Sequence, residues 1–141
     1  MYDGDYALRQ EDLVRLLESR GVTPTEQRLE VGKVVLRQPQ HLSADEILAE
    51  VNREQARVSK ATVYNTLKLF VERGLVREIN VDPTRMIYDS TTRPHHHFYN
   101  SDSGRLYDIE PGAVEISAMP RLPDGTVEDG VEVIIRIRNR P

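Results

Sequence analysis

Between Ser59 and Asp89 the chain spells a capped helix, a stop and a hairpin with almost no residue to spare. Ser59 is a ready N-cap for a helix over residues 60–73, in which Val63, Leu67, Phe70 and Val71 fall on one face. Gly74 supplies the stop. Residues 75–80 and 85–89 then read as two short strands about a turn at residues 81–84, which holds Pro83. Helices followed at once by such a hairpin have few soluble solutions, and the layout is that of a winged helix.

The upstream segments supply the helices. Leu13, Leu16 and Leu17 have i, i+3, i+4 spacing within residues 6–20, and Gly21 ends that run. Thr25 is an N-cap for a second helix that buries Val31, Val34, Val35 and Leu36 and ends before Pro39. Residues 40–42 read as a short connection. Ser43 and Glu46 then have the spacing of a capping box, which opens a third helix to about Asn52 on Ile47, Leu48 and Val51.

Beyond residue 90 the character changes. Residues 91–94, ending in Pro94, read as a hinge. A strand follows in which His95, His97 and Tyr99 share one face while His96 and Phe98 take the other. Gly104 permits a turn into a strand over 105–109. Residues 111–119 read at best as a short helix stopped by Pro120, residues 123–125 as a turn, and residues 131–138 as a last strand with Val131, Val133, Ile135 and Ile137 on one face. Such a module has a thin core, so completion by a second copy is expected. The expected fold is α+β: an N-terminal winged-helix DNA-binding domain (1–90), a hinge (91–94) and a small α/β dimerisation and sensing domain (95–141).

The formal charge of -4 argues at first against nucleic acid, but its distribution does not. Residues 53–77 hold six Lys/Arg (Arg53, Arg57, Lys60, Lys68, Arg73, Arg77) against two acids, Glu54 and Glu72. Only the face near the phosphates matters for DNA binding. Ala61, Asn65 and Lys68 lie opposite the apolar face of the 60–73 helix, with Thr62 and Tyr64 on its flanks. Small and polar residues with a basic edge suit a major groove, although an ordinary surface helix has the same pattern.

Three of the four histidines stand in a row at 95–97. On one strand face His95 and His97 are about 7 Å apart, close enough to share an ion, with Asp89, Asp108 and Glu115 on neighbouring segments. Iron, zinc and manganese accept imidazole mixed with carboxylate, and haem is the other ligand a histidine cluster takes; a solvated strand is the alternative. The chain has no cysteine, so thiolate sites and disulfides are excluded. No nucleophile–base pair, phosphate loop or paired catalytic carboxylates stand out, and an enzyme is not expected. No apolar run approaches the roughly 20 residues of a membrane span, so a cytoplasmic protein without membrane contact is expected.

The order of these features resembles the ferric uptake regulator (Fur) family. The resemblance rests on Thr25-Glu26-Gln27-Arg28, His41-Leu42-Ser43-Ala44, Lys60-Ala61-Thr62-Val63-Tyr64, Gly74-Leu75-Val76, Tyr88-Asp89, His95-His96-His97 and the run from Gly104 to Ile109. It spans roughly residues 10–138 and implies a dimeric, metal-responsive transcription regulator. It implies a sensing site on His41, Asp89, His95, His97 and Asp108, holding Fe(II), Mn(II) or Zn(II). It implies a second site using His96, Glu115 and a histidine on the final strand, but no histidine follows His97. The family's structural zinc uses cysteine pairs; the first pair's place reads Asn100-Ser101-Asp102-Ser103, so that four-cysteine zinc is not expected.

Within the family, the triple histidine followed by Phe98-Tyr99, the lack of cysteine and the Tyr64-Asn65 pair are similar to the iron response regulator branch. That branch implies haem as signal, taken by His95, His96 and His97, and control of iron and haem genes. The DNA expectation is an AT-rich inverted repeat bound by a homodimer, with Tyr64 and Thr62 at the bases, Asn65 paired to adenine, and Arg28, Lys60 and Lys68 on phosphates. A peroxide sensor or a manganese or zinc sensor on the same fold, and a metal or haem carrier, are the alternatives.

Overall fold

The computed structural model describes residues 9–55, 57–93 and 95–141. The expected helix start at 6–8 and Pro94 of the hinge lie outside the described residues. Two compact units divide between Thr92 and Arg93.

The first unit runs α1 (Gln10–Ser19), α2 (Glu26–Val35), β1 (His41–Ser43), α3 (Ala44–Val51), α4 (Lys60–Glu72), β2 (Arg77–Asp82) and β3 (Arg85–Asp89). The caps form as the sequence demands. Thr25 Oγ1 accepts from the Arg28 N–H at 3.3 Å, and Ser59 Oγ accepts from the Thr62 N–H at 3.2 Å. Ser43 and Glu46 cap each other reciprocally at 3.1 Å. Each satisfies an amide that the first turn leaves unpaired. Gly74 ends α4 with φ of 71°, a conformation that L side chains adopt only at a cost.

The core is built from the faces expected of it. Leu17, Val31, Ile47, Val63, Leu67 and Phe70 are fully buried in one cluster. Helices α1 and α2 approach closely because Gly32 lacks a side chain: a Cβ there would lie 3.1 Å from Leu13 Cδ1.

One expectation is corrected here. The connection at 40–42 is not a plain loop, because His41–Ser43 is a strand. The sheet order is β1-β3-β2, with β1 antiparallel to β3 and His41 opposite Asp89. Three residues carry no readable alternation; the strand exists because a distant β3 offers it hydrogen bonds. The hairpin turn is also tighter than expected, since β2 continues to Asp82 through an irregularity after Ile79. On β3, burial first, then Glu78 and Tyr64, push the Tyr88 phenol up to about 12, so it stays neutral.

The second unit has β4 (His97–Asn100), β5 (Arg105–Asp108) and β6 (Ile134–Ile137). Their order is β5-β4-β6, with β4 antiparallel to β5 and parallel to β6. The short helix read over 111–119 does not form; the segment opens with a turn and continues as coil. Gly112 has φ of 87°, Pro120 follows, and a helix of that length needs a packed apolar face. Here Ile116, Met119 and Leu122 stay exposed. The last strand is shorter than the expected 131–138, and Ile135 points outward while Ile134 and Ile137 are half-buried. Among the described residues of this unit only Tyr99, Ile109, His97 and Asn100 are buried.

A polar clasp compensates for part of this. Asn100 Oδ1 accepts from the amides of Asp102 (2.9 Å) and Ser103 (3.1 Å), and its Nδ2 donates to Asn139 Oδ1 at 2.8 Å. Asp102 Oδ2 accepts from the Asn139 amide at 2.8 Å. The turn that the resemblance aligns with a cysteine pair is thus tied to the chain leaving β6 by hydrogen bonds. Asn100→Ala is expected to destabilise this unit by about 1–3 kcal/mol, read from urea denaturation followed by far-UV circular dichroism.

Candidate metal centre and nucleic-acid interface

The metal candidates fall into two groups, one in each unit. In the first unit, the β1–β3 register sets His41 against Asp89. His41 Nε2 lies 3.2 Å from Asp89 Oδ2, and the carboxylate is buried. Its other oxygen accepts from the Thr91 amide at 2.8 Å, which fixes the orientation of the carboxylate. No helix periodicity or strand alternation leads to this pair; it follows from a strand pairing.

In the second unit, β4–β5 pairing sets His97 directly opposite Asp108. His95 Nε2 and His97 Nε2 both lie 3.3 Å from Asp108 Oδ1. The two rings are 4.3 Å apart between centroids. His97 is fully buried. His95 Nδ1 sits 2.8 Å from the carbonyl oxygen of Arg93. A carbonyl only accepts, so the neutral His95 ring carries its proton on Nδ1 and its lone pair on Nε2, toward Asp108.

The ring of His96 is used differently. The Val133 amide donates to His96 Nδ1 at 2.9 Å. That nitrogen therefore holds the lone pair, and the neutral ring carries its proton on Nε2. Glu115 is exposed in the coil and lies outside the His95–His97–Asp108 group.

The donor set fits a divalent ion. Ligands at about 2.1 Å from a tetrahedral or octahedral ion are roughly 3.0–3.4 Å from one another. The distances within each group, 3.2 Å in one and 3.3 Å in the other, lie in that range. Nitrogen and oxygen donors without sulfur suit iron, manganese or zinc.

The nucleic-acid candidates line α4 and the start of α2. Ala61, Tyr64, Asn65 and Lys68 are exposed, and Thr62 is half-buried. Tyr64 is held from two sides: its hydroxyl is 3.5 Å from Asp45 Oδ1, and Lys60 Nζ lies 5.8 Å from its ring centre. Arg28 Nη1 donates to the Thr23 carbonyl at 2.9 Å, which anchors the guanidinium at the helix entry. A groove of about 300 Å³ runs between Thr25, Gln27 and Arg28 on one side and Thr62, Asn65 and Thr66 on the other. Arg53 and Arg57 pair with Glu50 (3.3 Å) and Glu30 (3.6 Å), so the cations that α4 itself offers to a phosphate backbone are Lys60 and Lys68.

Sequence reasoning missed Asp45, Gln27 and Glu132, the last of which lies 3.4 Å from His97 Nδ1. Asp45 and Gln27 sit on faces of α3 and α2 that periodicity marks only as polar. Glu132 acquires its neighbour through a parallel strand pair that no local signal announces.

The profile of the Ferric uptake regulator family matches residues 19–122. A peroxide-responsive repressor, PerR, of Staphylococcus saprophyticus is 31% identical over 99 residues, covering 70% of this chain and 67% of its own. In fold, the ferric uptake regulator of Vibrio cholerae superposes with a TM-score of 0.68 at 20% identity, over 89% of this chain and 98% of its own. The Pseudomonas aeruginosa ferric uptake regulator, solved with manganese, gives 0.68 at 18% identity, over 90% of this chain and 97% of its own.

Proposed function

The chain belongs to the ferric uptake regulator family, whose members are dimeric DNA-binding transcription regulators and not enzymes, and we propose that it adjusts its grip on an AT-rich inverted repeat through one ion held by His41, Asp89, His95, His97 and Asp108. The observation that carries this reading is the convergence of His95 Nε2 and His97 Nε2 on one oxygen of Asp108. Two imidazoles and a carboxylate at ligand spacing have little reason to meet in a thin module unless a cation is shared. Iron or manganese is the proposed ion, since solved relatives of this fold are a regulator with manganese and another with iron. A bound divalent ion offsets the charge of carboxylates gathered at one point.

The chain's own residues do the rest. The Arg93 carbonyl sets the His95 tautomer, the Thr91 amide orients Asp89, and α4 presents Tyr64, Asn65 and Lys68 outward. Residues 91–94 are the proposed hinge between the ligand groups. The thin second unit, with Ile116, Met119, Leu122 and Ile135 exposed, supports assembly as a homodimer.

The test is a fluorescence-anisotropy titration of a promoter repeat with Mn(II) present and with chelator. Metal is expected to change affinity, and Lys68→Ala to weaken binding on all sequences while lowering the salt slope by about one. An affinity indifferent to metal sinks the sensing reading.

A second reading is favoured by the PerR relative, whose name describes a peroxide-responsive repressor. In it the same residues would hold Fe(II), which would supply the redox chemistry for peroxide, as oxidant and oxygen donor, to modify a histidine, and mass spectrometry after peroxide would find one oxygen added to His41, His95 or His97. Haem at His95, His96 and His97 is tested by a Soret titration of wild type against the triple alanine variant. An unchanged spectrum in that variant removes the haem reading.

A further inference from the structure

Among the described residues, one carboxylate beside the histidines belongs to none of the ligand sets above. Glu132 Oε1 lies 3.4 Å from His97 Nδ1, on the opposite edge of the ring from Asp108. His97 is fully buried, whereas Glu132 is an exposed residue whose side chain keeps 28% of its surface accessible. The segment carrying Glu132 is clamped at its next residue. The His97 amide donates to the Val133 carbonyl at 3.1 Å, and the Val133 amide donates to His96 Nδ1 at 2.9 Å. Two hydrogen bonds from consecutive histidines therefore hold Val133, and the register aligns His97 with Ile134.

We infer that Glu132, whose carboxylate stands in ionic contact with His97 Nδ1 without hydrogen-bond geometry, is a positioning residue for His97: a small shift of its exposed side chain lets it take the Nδ1 proton's hydrogen bond, so that the Nε2 lone pair is presented beside Asp108 to the ion. This rests on the reading that His97 is a metal ligand. The physical reason lies in the buried ring. A histidine between two carboxylates can place its single proton on either edge, and only one choice leaves the ligating nitrogen basic on the Asp108 side. A carboxylate on the far nitrogen fixes that choice, holds the ring plane and raises the basicity of the ligand. His95 receives the same service from the Arg93 carbonyl. His96 is held in the opposite tautomer by Val133. The three consecutive rings thus alternate in the edge that carries the proton.

The experiment measures Zn(II) and Mn(II) affinity by competition with a chromophoric chelator. It compares the full-length wild type, Glu132→Gln, Glu132→Ala and His97→Ala, with circular dichroism confirming each fold. Glu132→Ala is expected to lose about 10–100-fold in affinity, and near-isosteric Glu132→Gln to lose affinity in the same direction. In the Zn(II)-loaded protein, the His97 Nδ1 proton is expected far downfield and slow to exchange in wild type, and upfield in Glu132→Gln. A structural ion pair alone moves neither reading in a variant that stays folded. Wild-type affinity or an unmoved proton in Glu132→Gln overturns the inference, whatever Glu132→Ala does. If His97→Ala itself binds metal as wild type does, the ligand reading fails and the inference falls with it, a different outcome from loss in His97→Ala with none in Glu132→Gln.

Discussion

Replacing His97 by alanine is expected to weaken divalent-metal binding by more than the 10–100-fold that losing an outer partner costs, because a ligand itself is removed. The ring is buried, its Nε2 lies 3.3 Å from Asp108 Oδ1, and β4–β5 pairing fixes that approach. No neighbouring side chain can swing into a place that strand geometry defines. His96→Ala is expected to behave in the opposite way. Its ring is engaged by the Val133 amide, so truncation leaves a half-buried donor without its partner and costs about 1–3 kcal/mol of stability in the second unit. The two substitutions at adjacent residues therefore carry different signatures: metal affinity lost far beyond what any loss of stability explains, and stability lost with metal affinity largely kept. Chelator competition and urea denaturation on both variants separate them. A His96→Ala protein that loses metal as severely as His97→Ala would move the centre of the site onto the whole cluster and favour the haem reading.

The largest stability effect is expected at Phe70. Its side chain is fully buried against the cluster formed by α1, α2, α3 and α4. Phe70→Ala removes a ring that its surroundings cannot refill, at a cost of about 3–5 kcal/mol. Domains of this size have about 5–15 kcal/mol in total, so the first unit becomes marginal. At about 4–8 °C per kcal/mol, its melting temperature is expected to fall by roughly 12 °C or more. DNA binding should vanish at temperatures where wild type still binds, since α4 carries both Phe70 and the exposed Tyr64, Asn65 and Lys68. A calorimetric trace unchanged from wild type would contradict the burial assigned to this residue.

The helices were legible because their signals are local. A Ser43–Glu46 box, a Ser59 cap and apolar residues three and four apart act within one or two turns, and the structure forms them where they are written. The failures share one cause. β1 is three residues long and exists only through β3. The 111–119 segment has helix-compatible residues but no surface in its own unit for them to pack on, so Gly112 and the flanking prolines prevail. β6 is shorter than its pattern because alternation over 131–138 continues past the four residues that pair with β4.

The same division runs through the site. Residue types and chain order by themselves determined a winged-helix plan, a fourth helix with Asn65 and Lys68 opposite its apolar face and Tyr64 on its flank, and a nitrogen–oxygen donor set free of thiolates. These are properties of one helix, one hairpin or a composition. Tertiary structure alone decided which edge of His95 and His97 faces a carboxylate and which edge of His96 meets a backbone amide. Alternation predicts His95 and His97 on one side and His96 on the other, but β4 begins only at His97, and the ring proton is placed by the Arg93 carbonyl on His95, by the Val133 amide on His96 and, in the inference drawn above, by Glu132 on His97. Each of those comes from the coil before β4 or from a parallel neighbour far along the chain. A ring nitrogen's role is set by the donor or acceptor it meets, and those neighbours are brought together only when the strands pair.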